Sequence, residues 1–359
     1  MLLGLVGRIA IITTLCISLF TWIAPMIGRA YPAPIVAYIG RDALLDSHHL
    51  YLLDIWHGTP IRLTYFDNFN GQPAWSPDGD YLLFTAGGDY NPITGRLSAK
   101  RIFQMNFFTY TQRLLTDNGR NVNEGDPAWS HDGRIAYAVF RSGDWDIAIT
   151  RPSRYQTQLV SNMGQSMNTS ANQHTPRWSP DGSQIAYLVG GQFLGELGIA
   201  DATGNNARML TRGMQIVRDE YDWSPDGAYI IFTTQRDGNY EIYRVNVSNG
   251  AIINLSRHAS EDFSPKWSPN GDTIAFISSR NGGLHLFLMT VDGVDIQQIT
   301  ADNNRPATLI WSPDAQWLVY TATPQFGFNR QLYIASAGGG DVRQLTFSYM
   351  DHFSPTWKP

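Results

Sequence analysis

The sequence predicts an all-β fold, a seven-bladed β-propeller of four-stranded blades, on three observations. The string Trp-Ser-Pro-Asp-Gly, or a near copy, recurs along most of the 359 residues. The copies stand 44 to 54 residues apart, and 33 Gly and 19 Pro punctuate short apolar runs. Self-similarity at this period fits one four-stranded blade, and the density of turn formers fits many short strands. A helical repeat of similar length would need long runs of 3.6-residue periodicity, and none is present.

Each element of the repeat follows in order. The first strand ends at Trp75, Trp129, Trp178, Trp223, Trp267 and Trp311, with a truncated seventh copy at Trp357. The Pro-Asp-Gly that follows suits a tight reversal, because Asp bonds its own backbone and Gly accepts positive φ. Second strands read YLLFTA (81–86), RIAYAVF (134–140), QIAYLV (184–189), YIIFTT (229–234), TIAFIS (273–278) and WLVYTA (317–322). Third strands read RIFQMNF, WDIAIT, ELGIAD, YEIYRVNV, LHLFLMTV and QLYIASA. The fourth ends in a Leu-Thr-like pair, as at Leu115-Thr116, Leu210-Thr211, Leu255-Ser256, Ile299-Thr300 and Leu345-Thr346. Before Trp75, IVAYIG (35–40), HLYLLDI (49–55) and PIRLT (60–64) supply strands two to four of a blade whose first strand is SPTW (354–357). The closing blade is therefore expected to be shared between the two ends of the chain, leaving no free sheet edge.

The pattern P-x-W-S-P-D-G, I-A-F/Y, R-D-G-x-x-E-I-Y, L-T stands most fully at residues 221–256 and 265–300. It resembles the TolB-type propeller repeat over about residues 35–358. The resemblance implies a propeller fold. Proteins of that type are periplasmic and six-bladed, carry an amino-terminal α/β domain and bind envelope proteins. This chain departs in having seven copies and only four residues between the expected cleavage point and the first strand.

Residues 9–27 form a run of 19 without a charge, preceded by Arg8 and followed by Gly28-Arg29-Ala30. At about 1.5 Å rise per residue the run is long enough to cross a hydrocarbon core of roughly 30 Å. Residues 1–30 are expected to be a cleaved signal peptide or a membrane anchor, and 31–359 the propeller. The protein is thus expected to be exported, as a periplasmic, extracellular or anchored protein touching the membrane only through this segment. Its one Cys, Cys16, excludes a disulfide framework and a Cys-ligated zinc site. Net charge is −5 with 16% charged residues, which argues against nucleic acid as a partner, since phosphate binding needs a basic surface.

The repeated Trp residues read as packing between blades and the turn Asp residues as turn formers. Arg141 and Asp146, Arg236 and Glu241, and Arg280 and His285 read as cross-strand pairs worth a fraction of a kcal/mol. The loops from strand four to the next strand one open on the channel face. They carry eleven acids: Asp67, Asp117, Glu124, Asp126, Asp219, Glu220, Asp222, Glu261, Asp262, Asp302 and Asp351. Against seven bases in the same loops these carry most of the negative charge, and they lie among Tyr65, Phe66, Phe69, Tyr221, Phe263, Phe347, Tyr349 and Phe353. An acidic, aromatic mouth suits a basic segment of a partner or a small polar ligand. The expected binding residues are Asp126, His174, Asp219, Glu220, Glu261, Asp262, Tyr349 and His352, with no catalytic residue and no cofactor. No G-x-S-x-G, P-loop, dinucleotide fingerprint or H-E-x-x-H is present.

The function expected is a monomeric, non-catalytic binding scaffold for an envelope or extracellular protein. The alternative is a carbohydrate-active enzyme of the oligosaccharide lyase kind. It would hold a transition metal on His174, His258 and His352 in the channel, or Ca²⁺ on channel-mouth oxygens.

Overall fold

A computed structural model describes residues 34–359 apart from 43–46, 66–72, 88–89, 92–95, 98, 117–121, 142, 153, 160–171 and 192. The apolar run at 9–27 therefore lies outside the described residues. Every described element is a β-strand, and every pairing is antiparallel. Five sheets have four strands and one has eight; a separate two-stranded ribbon joins Tyr90–Asn91 to Arg96–Leu97. The eight-stranded sheet is two repeats fused where Leu194 and Gly195 pair with Val217 and Ile216.

Within each repeat the order follows the chain, as in Asp262–Trp267, Thr273–Ser278, His285–Thr290 and Gln297–Gln298. One sheet joins the two ends. Ile61–Arg62, Ser47–Asp54 and Ile35–Asp42 continue into Asp351–Trp357, with Val36 opposite Trp357 and Gly40 opposite His352. The innermost strand of each repeat touches those of its neighbours in sequence, and Asp351–Trp357 touches Ala74–Trp75.

Because side chains alternate across a strand, each sheet buries both faces against different neighbours. Ile35, Ala37 and Ile39 pack with Trp75, Leu82 and Phe84. Val36 and Tyr38, one residue out of phase, pack with Val319, Leu332 and Ile334 of the preceding repeat. This two-sided burial explains why second strands such as Thr273–Ser278 are nearly continuous apolar runs.

An aromatic pair lies across strands two and three of five sheets: Tyr38–Tyr51, Phe84–Phe103, Phe232–Tyr243, Phe276–Phe287 and Tyr320–Tyr333 are stacked with centroids 5.4 to 6.1 Å apart. Where the Trp178 repeat has Tyr187, its partner is Gly198, and a Cβ there would meet the ring at 2.6 Å. The ring fills the space its partner vacates.

The motif residues hold this arrangement. The indole N–H of Trp75, Trp178, Trp223 and Trp311 donates to the carbonyl of Thr356, Ala128, Arg177 and Lys266, each in the preceding repeat, at 3.1 to 3.3 Å. Ser76, Ser179, Ser224 and Ser312 donate to the turn carboxylates of Asp78, Asp181, Asp226 and Asp314 at 2.5 to 2.6 Å. Each of these hydroxyls also accepts the N–H five residues on.

Apart from Arg154–Leu159, fourth strands are shorter than expected and stop before the Leu-Thr pair, as at Arg208–Met209. The hydroxyl explains this. Thr64, Thr211, Ser256, Thr300 and Thr346 accept the N–H of Leu50, Leu197, Ile242, Leu286 and Leu332, replacing a ladder bond with a side-chain bond.

Candidate functional site

In most repeats the described residues one and three places before the motif Trp line a common cavity. This cavity of about 580 Å³ is lined from all seven repeats: Ala74, Asp126 and Ala128, Thr175 and Arg177, Asp219 and Glu220, Ser264 and Lys266, Thr308 and Ile310, and Ser354 and Thr356. The backbone bulges here. Asp126, Thr175, Asp219, Ser264 and Ser354 adopt φ of +49° to +66°, and the register of the inner pair shifts at each. A bulge re-aims the chain at the inner rim, and left-handed non-glycine backbone persists only where its surroundings over-determine it.

The wall is asymmetric. Charges gather on four consecutive repeats, while Ala74, Thr308, Ile310 and Thr356 leave the other three repeats uncharged at these positions. Arg218 binds Asp126 at 2.8 Å, and the N–H of Thr175 donates to the same carboxylate. Arg177 donates to the carbonyl of Asp219 at 3.1 Å and lies over the ring of Tyr221. Glu220 accepts from Ser264, and Asp222 from the N–H of Trp267. Lys266 and Asp219 are flanked by protein yet open to the cavity. Burial, then repulsion from Arg177, lowers Lys266 to about 8. Burial, then Asp126, raises Asp219.

The residues expected to bind are thus divided between places. Asp126, Asp219 and Glu220 line the cavity. His174 is buried against Trp145 and lowered to about 4 by desolvation and Arg218. His352 is buried against Tyr38, bonds Ser348 at 2.9 Å and is lowered to about 4 by desolvation. His258 is exposed, and its Nδ1 accepts the N–H of Ser260. The three histidines sit in separate surroundings, and no group of three or more metal-ligating side chains converges among the described residues.

Glu261 accepts the N–H of Tyr240 at 2.7 Å, and Asp262 is a buried bidentate partner of Arg280. Arg280 therefore pairs with Asp262, where the spacing pointed to His285. Asp351 is bound by Arg330, and Glu124 is buried against Thr116. Most of the described mouth acids are bonded within the fold. Asp67, Phe66, Phe69 and Asp117 lie outside the described residues.

Aromatics at the mouth are more accessible. Tyr349 is 63% exposed with its hydroxyl on Asp42, and Phe347 is 80% exposed. Phe326 and Phe328, which the sequence reading missed, are 90% and 98% exposed on the adjacent hairpin. Phe328, Phe347 and Tyr349 flank an uncharged groove with Asn329, Gln331 and Ser348. The sequence signal was the Phe-Gly-Phe between strands two and three; the Trp178 repeat also carries an exposed ring there, Phe193.

The TolB beta propeller domain matches residues 110–277 and 254–359 of the chain. This chain belongs to the TolB β-propeller family. A TolB homologue of Chlorobium luteolum is 30% identical to it over 132 residues, 36% of this chain and 26% of that protein. An uncharacterised protein of Agrobacterium fabrum is 25% identical over 194 residues, 54% of this chain and 60% of that one. The matched stretches span less than two thirds of both relatives.

Among solved structures, TolB from Acinetobacter baumannii superposes with TM-score 0.55 at 19% identity, over 91% of this chain and 67% of that one. An oligogalacturonate lyase from Vibrio parahaemolyticus gives 0.62 at 11%, over 84% and 91%. A puromycin-hydrolysing peptidase from Mycobacterium tuberculosis gives 0.69 at 13%, over 88% and 51%. At these identities the likeness shows the TolB-type fold alone.

Proposed function

We propose that this protein is an exported, non-catalytic scaffold, a closed seven-bladed ring that holds a protein partner of the cell envelope or exterior at its mouth. Closure and blade number are supported by the shared end sheet and by seven repeats lining one cavity. The observation that carries the docking reading is the group of rings, 63% to 98% exposed, on neighbouring hairpin and loop tips. Exposed apolar surface of this kind marks interaction sites, and aromatic anchors dominate interface energy. Since most described mouth acids are already bonded within the fold, an apolar or aromatic segment of the partner suits this face better than a basic one.

The test is capture of envelope proteins by wild type and by a Phe328→Ser/Phe347→Ser variant. Both positions are exposed, so the variant should melt within about 1 °C of wild type. Loss of one specific partner, with Kd raised at least 30-fold, supports the reading. Equal recovery by both proteins overturns it.

The lyase alternative rests on the structural likeness to oligogalacturonate lyases alone. Its proposed histidine set is not assembled among the described residues.

A further inference from the structure

The cavity, which shares no residue with the aromatic groove, holds two charged groups that the fold leaves available. The Lys266 ammonium makes no hydrogen bond or ion pair among the described residues, although Arg177, Asp219, Glu220 and Asp222 all lie within electrostatic reach of it. The Asp219 carboxylate has Arg218 Nε at 3.9 Å and no closer partner among the described residues. The two feel each other's charge but are not in contact. Both groups are partly exposed, Asp219 at 39%, and charges in a cavity wall are normally paired.

Two polar atoms of wall residues, the Thr175 hydroxyl and Arg177 Nε, are buried with no hydrogen-bond partner among the described residues. Thr175 itself is 3% exposed. The repeat is also broken at this point. Five of the other copies carry Pro two residues before the Trp and the Trp311 copy carries Leu309; this one carries Tyr221, and the left-handed residue moves one place back to Asp219. Local departures from an otherwise consistent pattern mark function more often than packing.

We infer that the cavity is a binding site for a small zwitterion of the free α-amino-acid kind, with its carboxylate on Lys266 and Arg177 and its ammonium on Asp219. A dicarboxylate would meet Asp126, Asp219, Glu220 and Asp222, and a diamine would meet Arg177, Arg218 and Lys266. Only a ligand carrying both charges is attracted at both ends. The uncharged stretch of the wall, at Ala74, Ile310 and Thr356, leaves room for an apolar side chain.

The experiment is isothermal titration of the purified protein with L-leucine. The probes with one charge removed are N-acetyl-L-leucine, which lacks the ammonium, and L-leucinamide, which lacks the carboxylate. Wild type should bind L-leucine at least tenfold more tightly than either. Lys266→Met should abolish the preference over L-leucinamide, and Asp219→Asn the preference over N-acetyl-L-leucine. Lys266→Arg keeps the charge, and it should retain the wild-type order should either other variant fail to fold. Equal binding of all three probes by wild type, or no heat from L-leucine at 10 mM, overturns the inference. Either result leaves the aromatic-rim reading intact, because that reading is tested by loss of a protein partner.

Discussion

His174 and His352 are kept neutral by burial, each with its pKa lowered to about 4. In the unfolded chain both return to about 6.5. Between those values the unfolded state binds protons that the folded state refuses, so stability falls as pH drops from about 6.5 to about 4. The loss from each is at most about 3 kcal/mol. For His174, Arg218 opposes protonation and Asp126 favours it; for His352, Asp351 favours it but is itself bound by Arg330. His352→Phe keeps a ring against Tyr38 and removes one titration. Its melting midpoint should fall less steeply than that of wild type between pH 6.5 and 4, and parallel curves would refute the assignment. At this scale the motif Asp was legible because its turn bonds are local and repeated, and the motif Trp because the same large ring recurs at one place in every repeat. Lys266 and Arg177 were less so, because the loops were read by composition. Taking the first and third positions before each Trp would have placed both on the inner wall.

The turn after the first strand shows how far one element depends on one residue. Gly79, Gly182, Gly227 and Gly271 adopt φ between +68° and +81°, and Ala315 stands at the equivalent place with φ +58°. An L-residue there costs roughly 1–2 kcal/mol in strain, partly offset by the freedom glycine gains when unfolded. Ala315→Gly should therefore stabilise the protein by about 0.5–1 kcal/mol in a urea melt. A loss of stability would mean that the methyl, packed beside the cluster of Trp311 and Tyr320, outweighs the strain. Second strands were legible to within a residue or two, since a bounded apolar run has one solution in a sheet buried on both faces. Fourth strands were not, because the Thr or Ser hydroxyl takes over the ladder bond, and apolar pattern alone does not reveal it.

For the whole molecule, the decisive contact is the pairing of Ile35–Asp42 with Asp351–Trp357, which brings together residues more than 300 apart in sequence. The repeat count and the incomplete ends made this pairing legible, because two partial blades complement each other. The ring proposed above depends on it, since an unpaired end would expose two sheet edges. Ala37 and Thr356 face each other across the pair, and antiparallel partners lie about 4.5–5.5 Å apart at Cα, within disulfide range. Cys16 is the chain's one native thiol, so Ala37→Cys/Thr356→Cys in a Cys16→Ser background offers a single possible bond. That bond closes a loop of about 320 residues, and the chain-entropy model gives it on the order of 5 kcal/mol. With an unfolding entropy of about 2.1 cal/mol/K per residue, the oxidised protein should melt roughly 7 °C above its reduced form. Reductant should return the midpoint to that of the reduced protein. If the two forms melted together, the ends would already separate before the rest of the protein unfolds, and the sheet they share would not hold the ring closed.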